Sequence, residues 1–174
     1  NLTAMLKSGK LDVIMIALPF EEPGILVQAL YDEPFKAVVP ADHRLAKKGH
    51  IDPAAMSGER VLLPHAGHCF RHQVLEACPE LSRSDSEGLQ GNSLETIRQM
   101  VASGLGITVM PSSAVTSRHL NKRLAVLEFV KPVPERRIAL AWRKGFARPA
   151  VIAVIQDAVG MLKIPGLEPV SAMA

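Results

Sequence analysis

Short apolar runs alternate along this chain with stretches in which apolar residues recur at helical spacing. Apolar runs of roughly four to eight residues, bounded by Gly, Pro and polar positions, are typical of strands. The predicted strands are DVIMIAL (12–18), ILVQALYDEP (25–34), FKAVVP (35–40), RVLLP (60–64), ITVM (107–110), LAVLEFV (124–130) and RIALAWR (137–143). The first run is apolar almost throughout, which predicts a strand buried on both faces. The residues DEP (32–34) predict a hinge between two strands.

Four segments have the apolar spacing of a helix. They lie before Gly9, from Cys69 onward, between Asn92 and Gly104, and over residues 149–163. In the third segment, Asn92 and Glu95 predict a capping box. Its buried face is predicted to carry Leu94, Ile97 and Val101. Gly9 and Gly104 are predicted to end their helices, because glycine adopts the left-handed conformation at little cost.

Strands that alternate with helices predict an α/β fold. A strand usually precedes the first helix of an α/β unit, and no strand precedes the helix that ends at Gly9. We therefore expect the sequence to start partway through a domain. Two lobes joined by crossing strands would place a ligand cleft between them, an arrangement that periodicity leaves open.

Composition narrows the class of protein. The chain is 48% hydrophobic and 21% charged, as in ordinary globular proteins, and is long enough to bury a core without disulfides. The net charge of +3 comes from 20 basic and 17 acidic residues, and pairs such as Arg136-Arg137 are interpreted as solvated faces. With scattered basic residues, one Trp and one Tyr, this chain is not expected to bind DNA by itself. We expect a cytoplasmic protein with no membrane contact, in which a disulfide would be transient or sensory.

Both cysteines lie in the segment GHCFRHQVLEAC, residues 67–78. A helix is predicted to begin at or just before Cys69, directly after Gly67, so that unpaired backbone N–H groups face the sulfur. Positive charge is expected from nearby side chains. These are His65, His68, Arg71 and His72. Both effects favour the reactive thiolate form of Cys69, and a loop between strand and helix would leave it accessible.

Cys78 is predicted to share an apolar helix face with Phe70, Val74 and Ala77, and to be an inert, partly buried side chain. Nine helical residues rise ~13.5 Å, whereas a disulfide needs Cα atoms within ~4.4–6.8 Å. A bond between Cys69 and Cys78 would therefore require the helix to unwind. The segment is predicted to be a two-state element that oxidation switches.

Other interpretations of this segment stay open. Two cysteines in a chain of this length can be ordinary core or surface residues. His68, Cys69 and His72 have the spacing of metal ligands, although a fourth ligand is not evident and no metal is expected. A Cys-x-x-Cys motif is absent from the sequence, which argues against a thioredoxin-like oxidoreductase.

Two motifs carry a family resemblance that extends from SGKLDVIMIAL (8–18) to AWRKG (141–145). The sequence GHCFRHQ followed by a second Cys after eight residues, and then NSLETIRQMVASGLGITVMP, resembles the hydrogen-peroxide-sensing members of the LysR-type transcriptional regulators. The resemblance implies a regulatory domain like a periplasmic binding protein, with two lobes joined by crossover strands. Residues 1–32 and 141–168 would form an incomplete first lobe, and residues 33–140 a second lobe with both cysteines. The winged helix-turn-helix of the family is absent.

The resemblance also implies roles for individual residues. Cys69 matches the thiol that peroxide oxidises to a sulfenic acid, and Cys78 matches the partner that resolves it to a disulfide. His68 and Arg71 match residues around the peroxide pocket, and so, after a loop of different length, does Arg137.

In the wider family, the helix that starts at Ser93 faces the interlobe cleft, where Ser93 either binds an anionic ligand or only starts the helix.

Three features differ from the family pattern. A pocket threonine would fall before Asn1, Pro79 stands where relatives carry an aromatic residue, and His72 replaces an acidic residue.

The partners implied are hydrogen peroxide, a second copy in a homodimer or homotetramer, promoter DNA through the absent domain, RNA polymerase, and a thiol reductant such as glutaredoxin. Neither a cofactor nor enzymatic turnover is expected. Two rival functions remain: a LysR-type effector domain that binds a small molecule in the cleft, and a thiol peroxidase.

Overall fold

The computed structural model describes residues 2–83, 91–116, 122–162 and 167–170, which fall into two compact units. The first unit contains the described residues up to Glu33 and from Arg136 onward, and the second unit spans Pro34–Glu135. The sequence predicted lobe boundaries after residues 32 and 140. The observed and predicted second boundaries lie in the same strand, residues 135–143.

Helices and strands are interspersed along the chain, which confirms the predicted α/β class. The helices are α1 (Leu2–Lys7), α2 (Cys69–Ala77), α3 (Leu94–Ala102) and α4 (Ala150–Met161). The strands are β1 (Val13–Ala17), β2 (Ile25–Pro40), β3 (His50–Ile51), β4 (Thr108–Pro111), β5 (Leu124–Phe129), β6 (Glu135–Arg143) and β7 (Glu168–Pro169). Short 3₁₀ turns cover Arg44–Lys48, Pro53–Met56, Pro79–Arg83 and Ser112–Val115. None of these described helices is both long and apolar enough to cross a membrane.

In the first unit, β6 lies between β1 and β2. Strands β1 and β6 are antiparallel, with Val13 opposite Trp142, and β7 pairs antiparallel with β2 at Tyr31. Helix α1 packs its buried Leu6 against Ile14 of β1. Gly9 follows α1 at φ 78°, which confirms the predicted helix end.

The prediction that β1 is buried on both faces was wrong. Successive strand residues face opposite sides of a sheet. Ile14 is buried against α1, but Met15 on the other side is 48% exposed and lines an open cavity of about 510 Å³ beside α4. An apolar run therefore identified the strand without identifying which of its faces is covered.

In the second unit, β2 lies between β4 and β5 and is antiparallel to both, and β3 runs parallel to β5. The sequence predicted two strands separated by a hinge at DEP (32–34), whereas β2 is one strand of 16 residues. The strand continues because residues on both sides of Pro34 find partners. Asp32 pairs with Glu168, and the Phe35 N–H donates to the Pro134 carbonyl at 2.8 Å.

The segment at 60–64 is buried as predicted but is not a strand. Val61, Leu62 and Leu63 are at most 1% exposed, yet the segment forms only isolated bridges, Val61 with Ile107 and Pro64 with Gly91. Pro64 has no N–H to extend the ladder. The close approach requires a glycine at 106, because a Cβ there would lie 2.4 Å from the Arg60 carbonyl oxygen.

Candidate functional site

Helix α2 has one cysteine at each end. Cys69 is its first residue and is exposed, and Cys78 is the residue that ends it and is fully buried. The predicted start of the helix is confirmed. Gly67 precedes it at φ 93°, a left-handed conformation that favours glycine, and this turn leads the chain from the buried segment into the helix. Both thiols are free.

His68 caps α2 through its imidazole ring. Its Nδ1 accepts a hydrogen bond from the Phe70 N–H at 3.2 Å. A ring nitrogen that accepts a hydrogen bond carries no proton, so this bond requires the form of the ring that has its proton on Nε2. In this arrangement His68 contributes a lone pair to the helix and leaves an Nε2–H donor. A positive charge from His68 beside Cys69 stays a prediction.

The other cationic candidates differ in what they contact. The Arg71 guanidinium donates to the Pro64 carbonyl at 3.4 Å, which directs its charge back toward the loop before α2. His65 places Nδ1 2.8 Å from the Ala66 carbonyl, and its ring meets the edge of the His68 ring at 6.0 Å. His72 is exposed. Arg71 is thus the permanent positive charge that sits within the first turn after Cys69.

Cys78 is part of the core of the second unit. It has no exposed surface and belongs to a cluster with Phe35, Phe70, Val74 and Leu81. The rings of Phe35 and Phe70 meet edge to face at 5.5 Å inside this cluster. Burial, with a smaller contribution from the Glu80 carboxylate, raises the pKa of the Cys78 thiol to about 12. The buried thiol is therefore protonated and unreactive at neutral pH, as an inert apolar side chain would be.

The helix separates the two thiols. A helix from 69 to 77 rises ~1.5 Å per residue, so Cys69 and Cys78 lie roughly 13 Å apart along its axis. A disulfide requires Cα atoms within ~4.4–6.8 Å. Cys78 itself has left the helical conformation, at φ −135° and ψ 72°, because Pro79 disfavours helix in the residue before it. The two cysteines can therefore bond only if α2 unwinds.

Ser93 caps α3. Its hydroxyl oxygen accepts from the Thr96 N–H at 3.1 Å and lies 3.0 Å from the Thr96 hydroxyl. The capping box predicted at Asn92 and Glu95 was therefore wrong by one residue. Glu95 instead pairs with Arg98 and accepts from Gln99. The Ser93 hydroxyl is engaged with the backbone of its own helix, which is the helix-start role that the sequence left open.

Arg137 lies in the first unit, not in the unit with the cysteines. Its guanidinium makes a bidentate pair with Asp32, with both N–O distances at 2.7 Å. The neighbouring Arg136 pairs with Glu33 at 2.6 Å, and the Glu33 side chain is only 1% exposed. The interpretation of Arg136-Arg137 as a solvated pair was wrong for Arg136. A role of Arg137 in a peroxide pocket stays a prediction.

Sequence reasoning missed one buried charge in the second unit. Arg98 is 5% exposed on α3 and donates to the Ala114 carbonyl at 2.6 Å. It occupies the helix face predicted from Ile97 and Val101, where an apolar pattern gave no signal for a charged residue.

Across the described ranges, no group of three His, Cys, Asp or Glu side chains could hold a metal ion.

Comparison with known proteins places the chain in a family. The profile of the LysR substrate binding domain matches residues 1–161. The hydrogen peroxide-inducible genes activator of Dickeya chrysanthemi is 38% identical over 145 residues, which are 83% of this chain and 48% of that protein. The chain thus spans just under half the length of this relative.

Solved structures give the same answer. A reduced form of OxyR from N. meningitidis has a TM-score of 0.88 at 39% identity, over 97% of this chain and 80% of that chain. An oxidized form of OxyR has a TM-score of 0.77 at 34% identity, over 91% and 74% of the two chains. The chain belongs to the LysR substrate-binding domain family, in the group that contains OxyR.

Proposed function

We propose that this chain is the regulatory domain of a peroxide-sensing transcriptional regulator, in which hydrogen peroxide oxidises Cys69 and Cys78 then forms a disulfide with it. One observation carries the proposal: a single helix holds an exposed free thiol at its start and a fully buried thiol at its end. Oxidation of the first thiol can be stored as a bond only by unwinding the helix. A chemical signal therefore becomes a conformational change.

The first step oxidises Cys69 by two electrons. Its thiolate attacks one oxygen of hydrogen peroxide, an S–O bond forms, and the O–O bond breaks. Hydroxide leaves and takes up a proton to become water, so peroxide is reduced as the sulfur becomes a sulfenic acid. We assign Arg71 the stabilisation of the thiolate and of the leaving hydroxide, and the His68 Nε2–H the donation of a hydrogen bond to peroxide.

The second step forms the disulfide. Once Cys78 leaves the core, water can solvate its thiolate, and the burial that raised its pKa no longer applies. The Cys78 thiolate attacks the Cys69 sulfur, the S–S bond forms, the S–O bond breaks, and hydroxide leaves as water after taking up a proton. No cofactor is needed. A cytosolic thiol reductant of the glutaredoxin type would restore both thiols by thiol–disulfide exchange.

Unwinding of α2 is expected to disturb the core of the second unit, because this helix contributes residues to that core. Unwinding removes Phe70 and Val74 from the core together with Cys78, because all three belong to one cluster. The second unit must then repack, and we propose that the repacking changes how copies associate in a homodimer or homotetramer. That change would alter how DNA-binding domains outside this chain meet promoter DNA and RNA polymerase in the cytoplasm.

The test is oxidation with near-stoichiometric hydrogen peroxide, followed by peptide mapping without reductant. The expected product is a peptide pair joined through Cys69 and Cys78, lighter by ~2 Da than the dithiol. Cys78→Ser should stop at a sulfenic acid on Cys69, and Cys69→Ser should leave Cys78 unmodified. Survival of both thiols in the unsubstituted chain would contradict the proposal and favour the small-molecule effector domain. Many peroxide turnovers per chain, with reductant supplied, would instead indicate a thiol peroxidase.

A further inference from the structure

We propose that His68 is a positioning residue that acts on Cys69 through the helix: its neutral ring holds the first turn of α2, and protonation of the ring releases that turn. Acidification would then favour the unwound disulfide state over the helical dithiol state. This inference rests on the proposed function, because the reaction it adjusts is disulfide formation between Cys69 and Cys78.

The cap of α2 differs in its chemistry from the common helix caps. The side chains that commonly cap helices are Ser, Thr, Asp and Asn. Their oxygens accept a hydrogen bond throughout the pH range near neutrality. At α2 the acceptor is His68 Nδ1, which receives the Phe70 N–H at 3.2 Å. An imidazolium has two N–H donors and no acceptor. Protonation of the His68 ring would therefore turn the acceptor into a donor and remove this cap.

Among the described residues, no carboxylate is placed to form an ion pair with a protonated His68 ring. The ring of His65 faces it edge to face at 6.0 Å, and Arg71 donates its N–H to the His68 carbonyl and its guanidinium to Pro64. Glu80 lies beyond the far end of α2, beside Cys78. Within the described ranges, no carboxylate comes within 4.0 Å of the His68 ring. Protonation therefore breaks the cap and adds positive charge beside Arg71 and the positive end of the helix dipole.

The same unit contains a matched counterexample. His43 caps the 3₁₀ turn Arg44–Lys48, and its Nδ1 accepts from the Leu45 N–H at 3.3 Å. Its Nε2, however, lies 3.4 Å from a carboxylate oxygen of Glu59. His43 thus has the same cap with an acidic partner, at a turn that carries no cysteine. His43→Asn is the control for a histidine cap that does not act on Cys69.

The consequence for the switch follows from linkage. The helical dithiol state requires an unprotonated Nδ1 at His68, and the unwound state makes no such demand. The unwound state therefore binds more protons at this residue, and lowering the pH moves the equilibrium toward it. A helix cap typically changes an equilibrium about fivefold, which is the effect to be expected here.

The first experiment measures the disulfide-to-dithiol ratio of the 174-residue chain in thiol redox buffers at pH 6 and pH 8. His68→Asn keeps a capping oxygen that does not titrate. Relative to His68→Asn, the unsubstituted chain should shift about fivefold toward the disulfide at pH 6, and His43→Asn should behave like the unsubstituted chain. An identical pH dependence in the unsubstituted chain and His68→Asn would overturn the proposal.

The second experiment needs no disulfide, so it separates this inference from the proposed function. Amide hydrogen exchange of Phe70 is measured in the reduced chain at both pH values and corrected for the intrinsic rate. Protection of this amide should fall about fivefold from pH 8 to pH 6 in the unsubstituted chain and stay constant in His68→Asn. Constant protection in both would refute the inference even if the disulfide forms. If no disulfide forms but the protection of the Phe70 amide still falls at pH 6, only the proposed function is refuted.

Discussion

Cys69 and Cys78 lie at opposite ends of α2, and the first is exposed while the second has no exposed surface. The helix is therefore both the spacer that keeps the thiols apart and the element that must be lost for them to meet. Its stability sets the free-energy cost of the proposed switch. Residues that hold α2 in the core should affect peroxide response without contacting either sulfur.

Leu81 lies in the turn after α2 and is fully buried with Cys78. Leu81→Ala is expected to lower the free energy of unfolding by about 2–5 kcal/mol, because it removes buried methyl groups and leaves a cavity. The matched change Leu105→Ala, at a position 41% exposed, should cost well under half of that. Urea unfolding measures both. The reduced Leu81→Ala chain should also expose Cys78 to a thiol reagent sooner, and equal reactivity in the two variants would contradict the role of the core in holding Cys78.

Cys78 predicts a loss of stability at alkaline pH. Its folded pKa of about 12 lies above the value near 8.5 of an unfolded cysteine, so the folded state favours the neutral thiol. The resulting stability is complete below the unfolded pKa and is lost as the pH rises toward 12. Between those limits, the unsubstituted chain should lose up to about 1.4 kcal/mol per pH unit relative to Cys78→Ala.

Urea unfolding at pH 7, 9 and 10 checks this alkaline loss. Cys69→Ala removes the exposed thiol and is the matched comparison. A difference between the unsubstituted chain and Cys78→Ala that stays constant with pH would show that the burial of Cys78 does not restrain its ionisation.

The same substitution at Arg136 and at Arg137 is expected to lower the free energy of unfolding by very different amounts. Arg136 pairs with Glu33, whose side chain is 1% exposed, whereas Arg137 is 49% exposed in its pair with Asp32. Arg136→Gln leaves a buried carboxylate without its cation and should cost about 3–5 kcal/mol of unfolding free energy. Arg137→Gln should cost at most about 1 kcal/mol. Thermal or urea unfolding distinguishes the two, and equal costs would mean that Glu33 is solvated in solution.

Ser93 provides a test of the small-molecule alternative. Ser93→Ala removes the cap of α3 and should cost about 1 kcal/mol, whereas Asn92→Ala should be close to neutral because Asn92 is not the capping residue. Disulfide formation between Cys69 and Cys78 should proceed in Ser93→Ala as in the unsubstituted chain. A small acid that raises the thermal stability of the unsubstituted chain but not of Ser93→Ala would instead support a ligand site at this helix.

Local backbone chemistry was readable from the residues themselves. Gly104 has a positive φ value at the end of its helix, α2 begins at Cys69, and α1 ends just before Gly9, all as predicted. Each of these features depends on a few adjacent residues, because a glycine turn or a cap is decided within one helical turn. The sequence also placed both cysteines on one helix, and that placement carries the functional argument.

Tertiary contacts decided the rest. Met15 is exposed although it lies in an apolar run. Arg136 pairs with a buried carboxylate, although it is one of two adjacent arginines. Strand β2 continues through DEP because residues distant in sequence pair with both of its halves. Whether Cys78 is partly or fully buried was settled in the same way, by Phe35 and Leu81 beside it. The sequence alone determined the start of α2 and the ends of α1 and α3, since those signals are local. Which side chains lose their water depends on partners far away in the chain, and only the folded structure brings those partners together.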